Sequence, residues 1–347
     1  MRDNTGFLTL EISESSTIPK YKQIAQSIVR RIQTGHIRYG QKLPSINELS
    51  TLYLLSRDTV EKAYAELKEK NVIKSARGIG YFVSDAQPES HLKILVLFNK
   101  LSAHKKEIYN QFAHVLQDKA IIDFFIYHCD LNLFRQILSE HQEGYHYYVI
   151  MPHFKDDDPV EIKQAIEVIP PEKLIMLDMK ISSVHDYFGA VYQDFKEDIF
   201  QALEKASECI MKYKKVILVF PDNYTYPYPK EIVQGFTKFC MFRHLNYAIL
   251  NTISGDYKPE KDTAYVLISD NDLANLIKLS RNSGLNLGTD IGIISYNETV
   301  LKEVLEKGIT VMSTDFKKMG ELTANMILER RPIDHKNDFN LIIRNSL

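Results

Sequence analysis

From residue 92 onward, short apolar runs alternate with stretches of helical period, and this alternation limits most strongly what the chain can fold into. The runs are nearly continuous in apolar residues, as are strands buried on both faces of a parallel sheet. Helical patterns such as 199–211 and 273–279 lie between them. Repeated strand–helix units predict an α/β fold with parallel sheets. The predicted strands are 92–98, 121–127, 147–151, 174–177, 190–192, 216–220, 247–250, 264–268 and 291–295.

The polar residues that follow these runs predict where a ligand binds. Roughly 250 residues of strand–helix units are too many for one sheet, so we expect two lobes with a cleft. Open α/β sheets bind ligands beyond the carboxyl ends of their strands. Amides, carboxylates and aromatic rings stand at these ends, and such groups suit the hydroxyls and the C–H face of a sugar. They belong to Phe98, Asn99, His153, Asp178, Gln193, Asp194, Asp222, Asn223, Asp270, Asn271, Asp272, Tyr296 and Asn297.

Charge is divided unevenly along the chain. The net charge is only −2, which by itself argues against a nucleic-acid partner. Residues 19–83, however, hold 12 Lys and Arg against 5 Asp and Glu, whereas the remainder holds 31 against 40. A basic module joined to an acidic one is typical of a nucleic-acid binder with a separate sensor or enzyme.

The basic segment has the pattern of a helix-turn-helix followed by a β-hairpin. Ile24, Ile28 and Ile32 recur four apart and predict one buried helical face. Ser45 and Ser56 are well placed to cap the second and third helices, Ser45 as part of a capping box with Glu48. Two strand-like runs, 72–73 and 80–83, then predict a wing. We expect the third helix to enter the major groove of DNA.

The predicted DNA contacts follow from the start of that helix and from the wing tip. Arg57 suits a guanine edge or a phosphate, and the hydroxyls of Ser45 and Thr59 suit phosphates. Arg77 and Gly78 stand at the wing tip, where glycine permits a close approach to the minor groove. The predicted DNA-binding residues are Ser45, Asn47, Arg57, Asp58, Thr59, Lys62, Arg77 and Gly78.

A segment of about 65 residues, with its motifs between residues 35 and 83, resembles the winged helix of GntR-type bacterial transcription factors. The resemblance rests on Leu43-Pro44-Ser45, Ser56-Arg57-Asp58-Thr59-Val60 and Gly78-x-Gly80-Tyr81-Phe82-Val83, and it covers about 65 residues. It implies a DNA-binding regulator. Many relatives carry arginine where Asn47 stands, and some do where Glu61 stands; Asn47 can hydrogen-bond but cannot neutralise a phosphate.

The C-terminal segments 270–274, 290–298 and 309–320 resemble the effector domain of LacI-type repressors, which is similar to periplasmic sugar-binding proteins. The resemblance extends more weakly over 91–345. It implies that Asn271 and Asn297 hydrogen-bond the effector, that Phe316 packs against it, and that Asp194 lies near the crossover between lobes. Ile232 stands where relatives carry an effector-binding arginine, and Asn297 replaces an aspartate. The predicted effector-binding residues are Phe98, His153, Asp178, Tyr192, Lys230, Asn271, Tyr296, Asn297 and Phe316.

Several classes of protein are disfavoured. The cysteines Cys129, Cys209 and Cys240 lie far apart, which argues against disulfides and thiolate metal sites and favours a reducing cytoplasm. No apolar run reaches the roughly 18 residues of a membrane span, and the N-terminus lacks the pattern of a secretory signal. Neither H-E-x-x-H nor G-x-S-x-G occurs, so we expect neither catalysis nor a metal or cofactor.

The predicted fold class is α/β, with an N-terminal winged helix-turn-helix (1–84), a linker (85–91) and a two-lobed, type I periplasmic-binding-protein-like domain with parallel sheets (92–347). We expect a cytoplasmic repressor that binds double-stranded operator DNA as a homodimer, controlled by a monosaccharide or a sugar derivative. The alternatives are a C-terminal pyridoxal-phosphate domain, an activator of sugar-use genes, and a free sugar-binding transport protein, which the basic segment disfavours.

Overall fold

The computed structural model describes residues 10, 12–13, 16, 18–38, 40–76, 78–84, 91–155, 158–221 and 228–347. The described residues divide into two compact units, one ending at His91 and the other running from Leu92 to Leu347. The predicted linker, apart from His91, lies outside the described residues, as do Arg77, Asp222 and Asn223. The predicted domain limits at 84 and 91 therefore stay predictions.

The N-terminal unit combines helices with an antiparallel sheet of strand order β1-β3-β2. Strands β2 and β3 form the predicted hairpin, with Ala76 opposite Gly80 at its end. Its elements are α1 Lys20–Gln33, β1 Lys42–Leu43, α2 Ile46–Tyr53, α3 Arg57–Glu69, β2 Ile73–Ala76 and β3 Gly80–Val83.

The helix starts in this unit are fixed by the predicted caps. The Ser45 hydroxyl accepts a hydrogen bond from the Glu48 N–H, and the Glu48 carboxylate accepts one from the Ser45 N–H at 2.7 Å. Tyr64 on α3 is buried and donates its hydroxyl to the Pro44 carbonyl at 2.7 Å, which ties α3 to the segment before α2. The predicted inner face of α1 is buried, whereas Leu52 on α2 is 57% exposed.

The C-terminal unit contains two six-stranded sheets, one for each predicted lobe. The first lobe has the strand order β14-β8-β7-β6-β4-β5 and is parallel throughout. Its elements are β4 Leu92–Phe98, α4 Ala103–Leu116, β5 Ala120–Ile126, α5 Leu131–Glu140, β6 Tyr147–Ile150, α6 Pro159–Ile166, β7 Leu174–Asp178, β8 Gly189–Tyr192, α12 Phe316–Glu329 and β14 Asp334–Lys336.

The second lobe has the strand order β10-β9-β11-β12-β13-β15, and only its β13–β15 pair is antiparallel. Its elements are α7 Phe195–Lys205, α8 Ser207–Ile210, β9 Lys215–Val219, α9 Glu231–Phe242, β10 Tyr247–Leu250, β11 Thr263–Leu267, α10 Asp270–Asn282, β12 Ile291–Tyr296, α11 Val300–Val304, β13 Thr310–Thr314 and β15 Phe339–Ile342. The predicted fold class, with two lobes and parallel sheets, is confirmed.

The chain passes between the lobes after β8, after β13 and between β14 and β15. Asn337 is 1% exposed and joins all three passages. Its backbone N–H donates to the Tyr192 carbonyl at 2.7 Å, and its side-chain Nδ2 donates to Thr314 Oγ1 and the Asp315 carbonyl, both at 2.8 Å. One buried residue, through its backbone and its side chain, therefore links the three crossovers.

Candidate functional site

The predicted DNA-binding side chains lie on the outer surface of the N-terminal unit. Ser45, Asn47, Arg57, Asp58 and Lys62 are exposed on α2, α3 or their caps. Gly78 lies in the β2–β3 turn with φ of +75°, and a Cβ there would meet open space. These positions leave α3 and the wing available to a nucleic acid, and DNA contact by each residue stays a prediction.

Thr59 has a structural partner of its own. Its hydroxyl lies 2.7 Å from the hydroxyl of Ser56, the residue that caps α3 and accepts from the Thr59 N–H. The Thr59 side chain thus stabilises the first turn of α3. In that turn Arg57 and Asp58 are exposed, so the cap sets the position of these two predicted DNA-binding side chains.

A cavity of about 250 Å³ lies in the C-terminal unit, at the carboxyl ends of strands from both sheets. It is smaller than the roughly 300–1,000 Å³ of pockets for drug-sized ligands and therefore suits a small molecule. Its position matches the rule that open α/β sheets bind ligands beyond their strand ends. The lining residues are Asn99, Lys100, Ser102, Ala103, His104, Lys105, His153, Asp178, Gln193, Phe195, Tyr228, Pro229, Ile232, Ile268, Asp270, Tyr296, Asn297 and Phe316.

A buried network around Asp178 forms the floor of the first-lobe side. One carboxylate oxygen, Oδ2, lies 3.2 Å from Lys105 Nζ and 2.9 Å from His153 Nε2. The other, Oδ1, accepts from Gln193 Nε2 at 2.5 Å. Lys105 Nζ also donates to Asn99 Oδ1 at 2.5 Å. Every charged group in this network therefore has a partner, as burial requires.

The network fixes the protonation of its members. Burial by itself raises the pKa of Asp178, but Lys105, His153 and Gln193 outweigh it and hold that pKa well below its usual range. Burial, together with Lys105, lowers the pKa of His153, so its imidazole is neutral at pH 7. Because an ionised carboxylate only accepts, the proton of this neutral ring lies on Nε2.

An aromatic wall closes another side of the cavity. The ring of His104, in the first turn of α4, stacks on Phe316 with centroids 5.0 Å apart and planes inclined by 20°. Burial, with Lys302 and Lys100 nearby, lowers the pKa of His104 to about 4, so this stack is uncharged at pH 7. It offers a flat apolar face to a ligand.

The second-lobe rim is held from behind by Lys302, which is 2% exposed. Its Nζ donates to the carbonyls of Tyr296 and Asn297 at 2.9 and 2.8 Å and pairs with Asp270 at 2.8 Å. Asn297 has a positive φ of +64°, and Asp178 has one of +73° at the corresponding end of β7. Asn and Asp tolerate this left-handed backbone better than other residues do, which places two polar side chains at strand ends.

Three polar side-chain atoms of the cavity are buried and lack a hydrogen-bond partner: Gln193 Oε1, Tyr296 Oη and Asn297 Oδ1. Gln193 and Tyr296 are 8% and 4% exposed. Buried polar atoms are nearly always paired, so orphans that cluster in one cavity indicate a missing partner.

The structure brings together some of the predicted effector residues. His153, Asp178, Tyr296, Asn297 and Phe316 line the cavity. Contact of any of them with an effector stays a prediction.

Four predicted residues do not line the cavity. Phe98 is buried in the first-lobe core, its ring 5.2 Å from that of Phe124, because successive strand side chains point to opposite faces. The centroid of the Tyr192 ring lies 3.8 Å from Lys180 Nζ, which sits over the ring. Lys230 is exposed at the cap of α9, and Asn271 is exposed one residue beyond Asp270, where the helix turns it outward.

Sequence patterns gave less warning of the other lining residues. Asn99, Gln193 and Asp270 belong to the predicted set of strand-end residues but not to the predicted effector contacts. Lys100, His104 and Lys105 belong to neither set; the signal for them is the short segment between β4 and the Ser102-capped start of α4. Such a segment brings a helix start to the carboxyl edge of a sheet.

Within the ranges that the structure describes, no cluster of three or more His, Cys, Asp or Glu side chains is arranged to hold a metal ion. None of the helices in those ranges is both long and apolar enough to cross a membrane.

Comparisons with known proteins match both units. Residues 20–83 match the family described as bacterial regulatory proteins, gntR family, and residues 212–346 match the periplasmic binding protein-like domain. The HTH-type transcriptional repressor YtrA of Bacillus subtilis is 37% identical over 76 residues, which span 22% of this chain and 58% of that protein.

Two longer similarities cover most of the chain or its larger unit. The arabinose metabolism transcriptional repressor of Geobacillus stearothermophilus is 21% identical over 371 residues, covering 96% of this chain and 99% of that protein. A LacI family transcriptional regulator of Weissella paramesenteroides, solved with bound glucose, has a TM-score of 0.57 at 17% identity and covers 74% and 98% of the two chains. The latter likeness shows the fold. The chain thus carries the two domains of a transcription regulator: a segment that matches the gntR family at residues 20–83 and a segment that matches the periplasmic binding protein-like domain at residues 212–346.

Proposed function

We propose that this regulator is a repressor that binds operator DNA through its N-terminal unit and is released by a small polyhydroxylated ligand bound in the cavity of its C-terminal unit. The observation that carries the proposal is the cavity itself. It lies at the strand ends of both lobes and combines orphaned polar atoms with a stacked aromatic wall.

A monosaccharide or a close derivative fits this chemistry best. Its hydroxyls can satisfy Gln193, Tyr296 and Asn297, and its C–H face can rest on the uncharged His104–Phe316 stack. Ile232 supplies an apolar wall at the position where related effector domains carry arginine. The similar repressor is named for arabinose metabolism and the similar fold was solved with glucose, which supports a neutral sugar.

Ligand binding at a cleft between lobes favours the arrangement in which both lobes touch the ligand. The resulting change in DNA affinity is limited by the difference in ligand affinity between the two arrangements. We propose that the crossovers joined by Asn337 are where the lobes turn.

We further propose that the repressor acts as a homodimer in the cytoplasm. A single winged helix reads one half-site, so a two-fold operator calls for two copies. The mass of the free protein and of its DNA complex, measured by light scattering, tests this stoichiometry: two chains on each operator are expected, and one chain contradicts the proposal.

The regulator is proposed to act by binding rather than by catalysis. The periplasmic binding protein-like fold of the C-terminal unit supports a binding domain over the alternative of a pyridoxal-phosphate enzyme domain. An activator with the same parts is separated from a repressor by transcription in vitro: adding the protein without ligand lowers transcript from a repressed promoter and raises it from an activated one.

The ligand proposal is tested by thermal unfolding of the full chain with D-glucose, D-ribose, L-arabinose and related neutral sugars. A ligand at 100 times its dissociation constant stabilises the native state by about 2.7 kcal/mol. For a unit of about 250 residues this raises the melting temperature by roughly 5–10 °C. Asn297→Leu in the cavity should reduce the shift, whereas Asn282→Leu, on the exposed end of α10, should not. No shift with any neutral sugar contradicts the proposal.

A further inference from the structure

The orientation of the Gln193 amide is fixed by its neighbour. Asp178 is ionised and only accepts hydrogen bonds, so the nitrogen of Gln193 must face it, and Nε2 lies 2.5 Å from Oδ1. The Gln193 backbone N–H also donates to the Asp178 carbonyl at 3.1 Å. The amide oxygen is thereby turned away from Asp178, and it is the atom left buried and unpaired in the cavity wall.

Each polar side chain behind Gln193 already has a partner within the buried network. Asp178 Oδ1 receives Gln193, and its Oδ2 receives both Lys105 and His153. Asn99 is used at both ends, with Oδ1 accepting from Lys105 and Nδ2 donating to Cys129 Sγ at 3.3 Å. This group orients and fixes Gln193.

We propose that Gln193 is a specificity-determining residue of the cavity, whose amide oxygen accepts a hydrogen bond from one hydroxyl of the ligand, and that Asp178 is a positioning residue that keeps this oxygen turned inward. The proposal rests on the proposed function of the cavity as a sugar site. It assigns to Asp178, expected from the sequence to touch the effector, an indirect role.

The assignment restricts the ligand at this point of the cavity. Two acceptors cannot satisfy one another, so a ring oxygen, a carbonyl or a phosphate oxygen facing Gln193 Oε1 leaves both unpaired. The ligand must therefore carry a free hydroxyl, or another donor, at the position that meets Gln193.

The test pairs sugar analogues with protein variants. Whichever neutral sugar stabilises the full chain is compared with its monodeoxy forms by calorimetric titration. For the wild type, one deoxy position should weaken binding about tenfold or more, because removing that hydroxyl leaves Gln193 Oε1 unpaired.

The variant Gln193→Met keeps the length of the side chain and removes the acceptor. It should bind the parent sugar about tenfold more weakly and lose the discrimination against that one deoxy sugar. Discrimination at the other hydroxyls should persist. Asp178→Asn frees the Gln193 amide to turn and should relax discrimination at the same hydroxyl only. The matched control, Asn297→Leu, should leave discrimination intact at the ligand hydroxyl that meets Gln193 and alter it at another hydroxyl.

The outcomes distinguish a failure of the proposed function from a failure of the role assigned to Gln193. If no sugar binds the wild type, the proposed function is contradicted. If a sugar binds but Gln193→Met discriminates against every deoxy form as the wild type does, the role of Gln193 is contradicted and the sugar site stands. Should Gln193→Met fail to fold, a crystal structure of the wild-type complex decides: a ligand hydroxyl oxygen within about 3.2 Å of Oε1 supports the assignment, and a water or a carbon in that place overturns it.

Discussion

Asp178 shows how one buried side chain can organise a cavity. Isolated, a carboxylate buried as deeply as this one would be neutral, because burial raises its pKa. Lys105, His153 and Gln193 reverse that effect and keep it ionised. Removing one partner leaves the others as uncompensated buried charges, which is why such networks tolerate substitution poorly.

The stability of the C-terminal unit should fall in mild acid because of His104. Its pKa in the folded chain is about 4, below the usual 6.5, so the unfolded chain binds more protons between these values. The stabilisation is present in full above about pH 6.5 and is lost as pH falls toward 4. Between pH 7 and 5 we expect a loss of about 1–2 kcal/mol from this group.

Hydrogen exchange of the α4 amides at the two pH values measures this loss in the full chain. His104→Gln should reduce the loss of stability. Part of the loss should remain in this variant, because the pKa of His153 is also lowered. His185→Gln, at an exposed position, is the control and should follow the wild type. Equal losses in His104→Gln and the wild type would falsify the assignment.

The salt dependence of DNA binding should respond to single charges of the N-terminal unit. Lys62 is exposed on α3, and Lys62→Ala should reduce the slope of log affinity against log salt by about one. Lys278→Ala, on the exposed face of α10 in the acidic unit, should leave the slope unchanged. Operator binding is measured by fluorescence anisotropy at salt concentrations between about 50 and 200 mM, where DNA affinity depends strongly on salt. An unchanged slope for Lys62→Ala means that this lysine contacts no phosphate.

At this scale the sequence predicted residue types better than contacts. The strand-end rule located His153, Asp178, Tyr296 and Asn297 at the cavity, because every strand end reaches the same sheet edge. It failed for Phe98 and Asn271, where one residue of offset along a strand or a helix turns the side chain away. Nothing in the sequence pairs Asp178 with Gln193, since the bond depends on the pairing of β7 with β8.

The crossovers are the element on which motion between the lobes depends. Asn337→Ala removes two side-chain hydrogen bonds, one to Thr314 Oγ1 and one to the Asp315 carbonyl. We expect the free energy of unfolding of the C-terminal unit to fall by about 1–3 kcal/mol. Asn282→Ala, at an exposed position, should change it by less than about 0.5 kcal/mol. Urea unfolding measures both variants, and equal values would show that Asn337 does not bind the crossovers together.

The packing of α12 on α4 should be intolerant of even one added methyl group. A Cβ at Gly320 would overlap the Ile108 carbonyl oxygen and approach Phe112 N. Gly320→Ala should therefore destabilise the first lobe by about 1–3 kcal/mol, since backbone atoms give way less readily than side chains. Gly255→Ala, where a Cβ would meet open space, is the matched control. A stabilised Gly320→Ala protein, observed by thermal unfolding, contradicts this packing.

Among the elements, long apolar strands and capped helices were predictable and short edge strands were not. Runs such as that of β4 carry several buried apolar residues in succession, a strong signal. By contrast, β14 and β15 are short, partly exposed strands, β14 consisting of Asp334, His335 and Lys336. Their pairing with β8 and β13 comes from the crossovers and not from local preference.

The near-zero net charge of the whole chain is the sum of a basic N-terminal unit and an acidic C-terminal unit. Opposite local charges explain why the chain as a whole is not strongly basic although one part is suited to DNA. We expect DNA affinity to be set by the first unit and controlled by the second, through the difference in ligand affinity between lobe arrangements.

Titration of a stabilising monosaccharide into the full-length chain bound to its selected operator tests this coupling most directly. Fluorescence anisotropy of the labelled DNA reports the bound fraction at fixed salt. The account predicts that the sugar lowers operator affinity by about 5-fold to 150-fold, the usual range of allosteric coupling, and that Gln193→Met needs correspondingly more sugar. A sugar that raises the melting temperature of the protein and leaves operator affinity unchanged would contradict it.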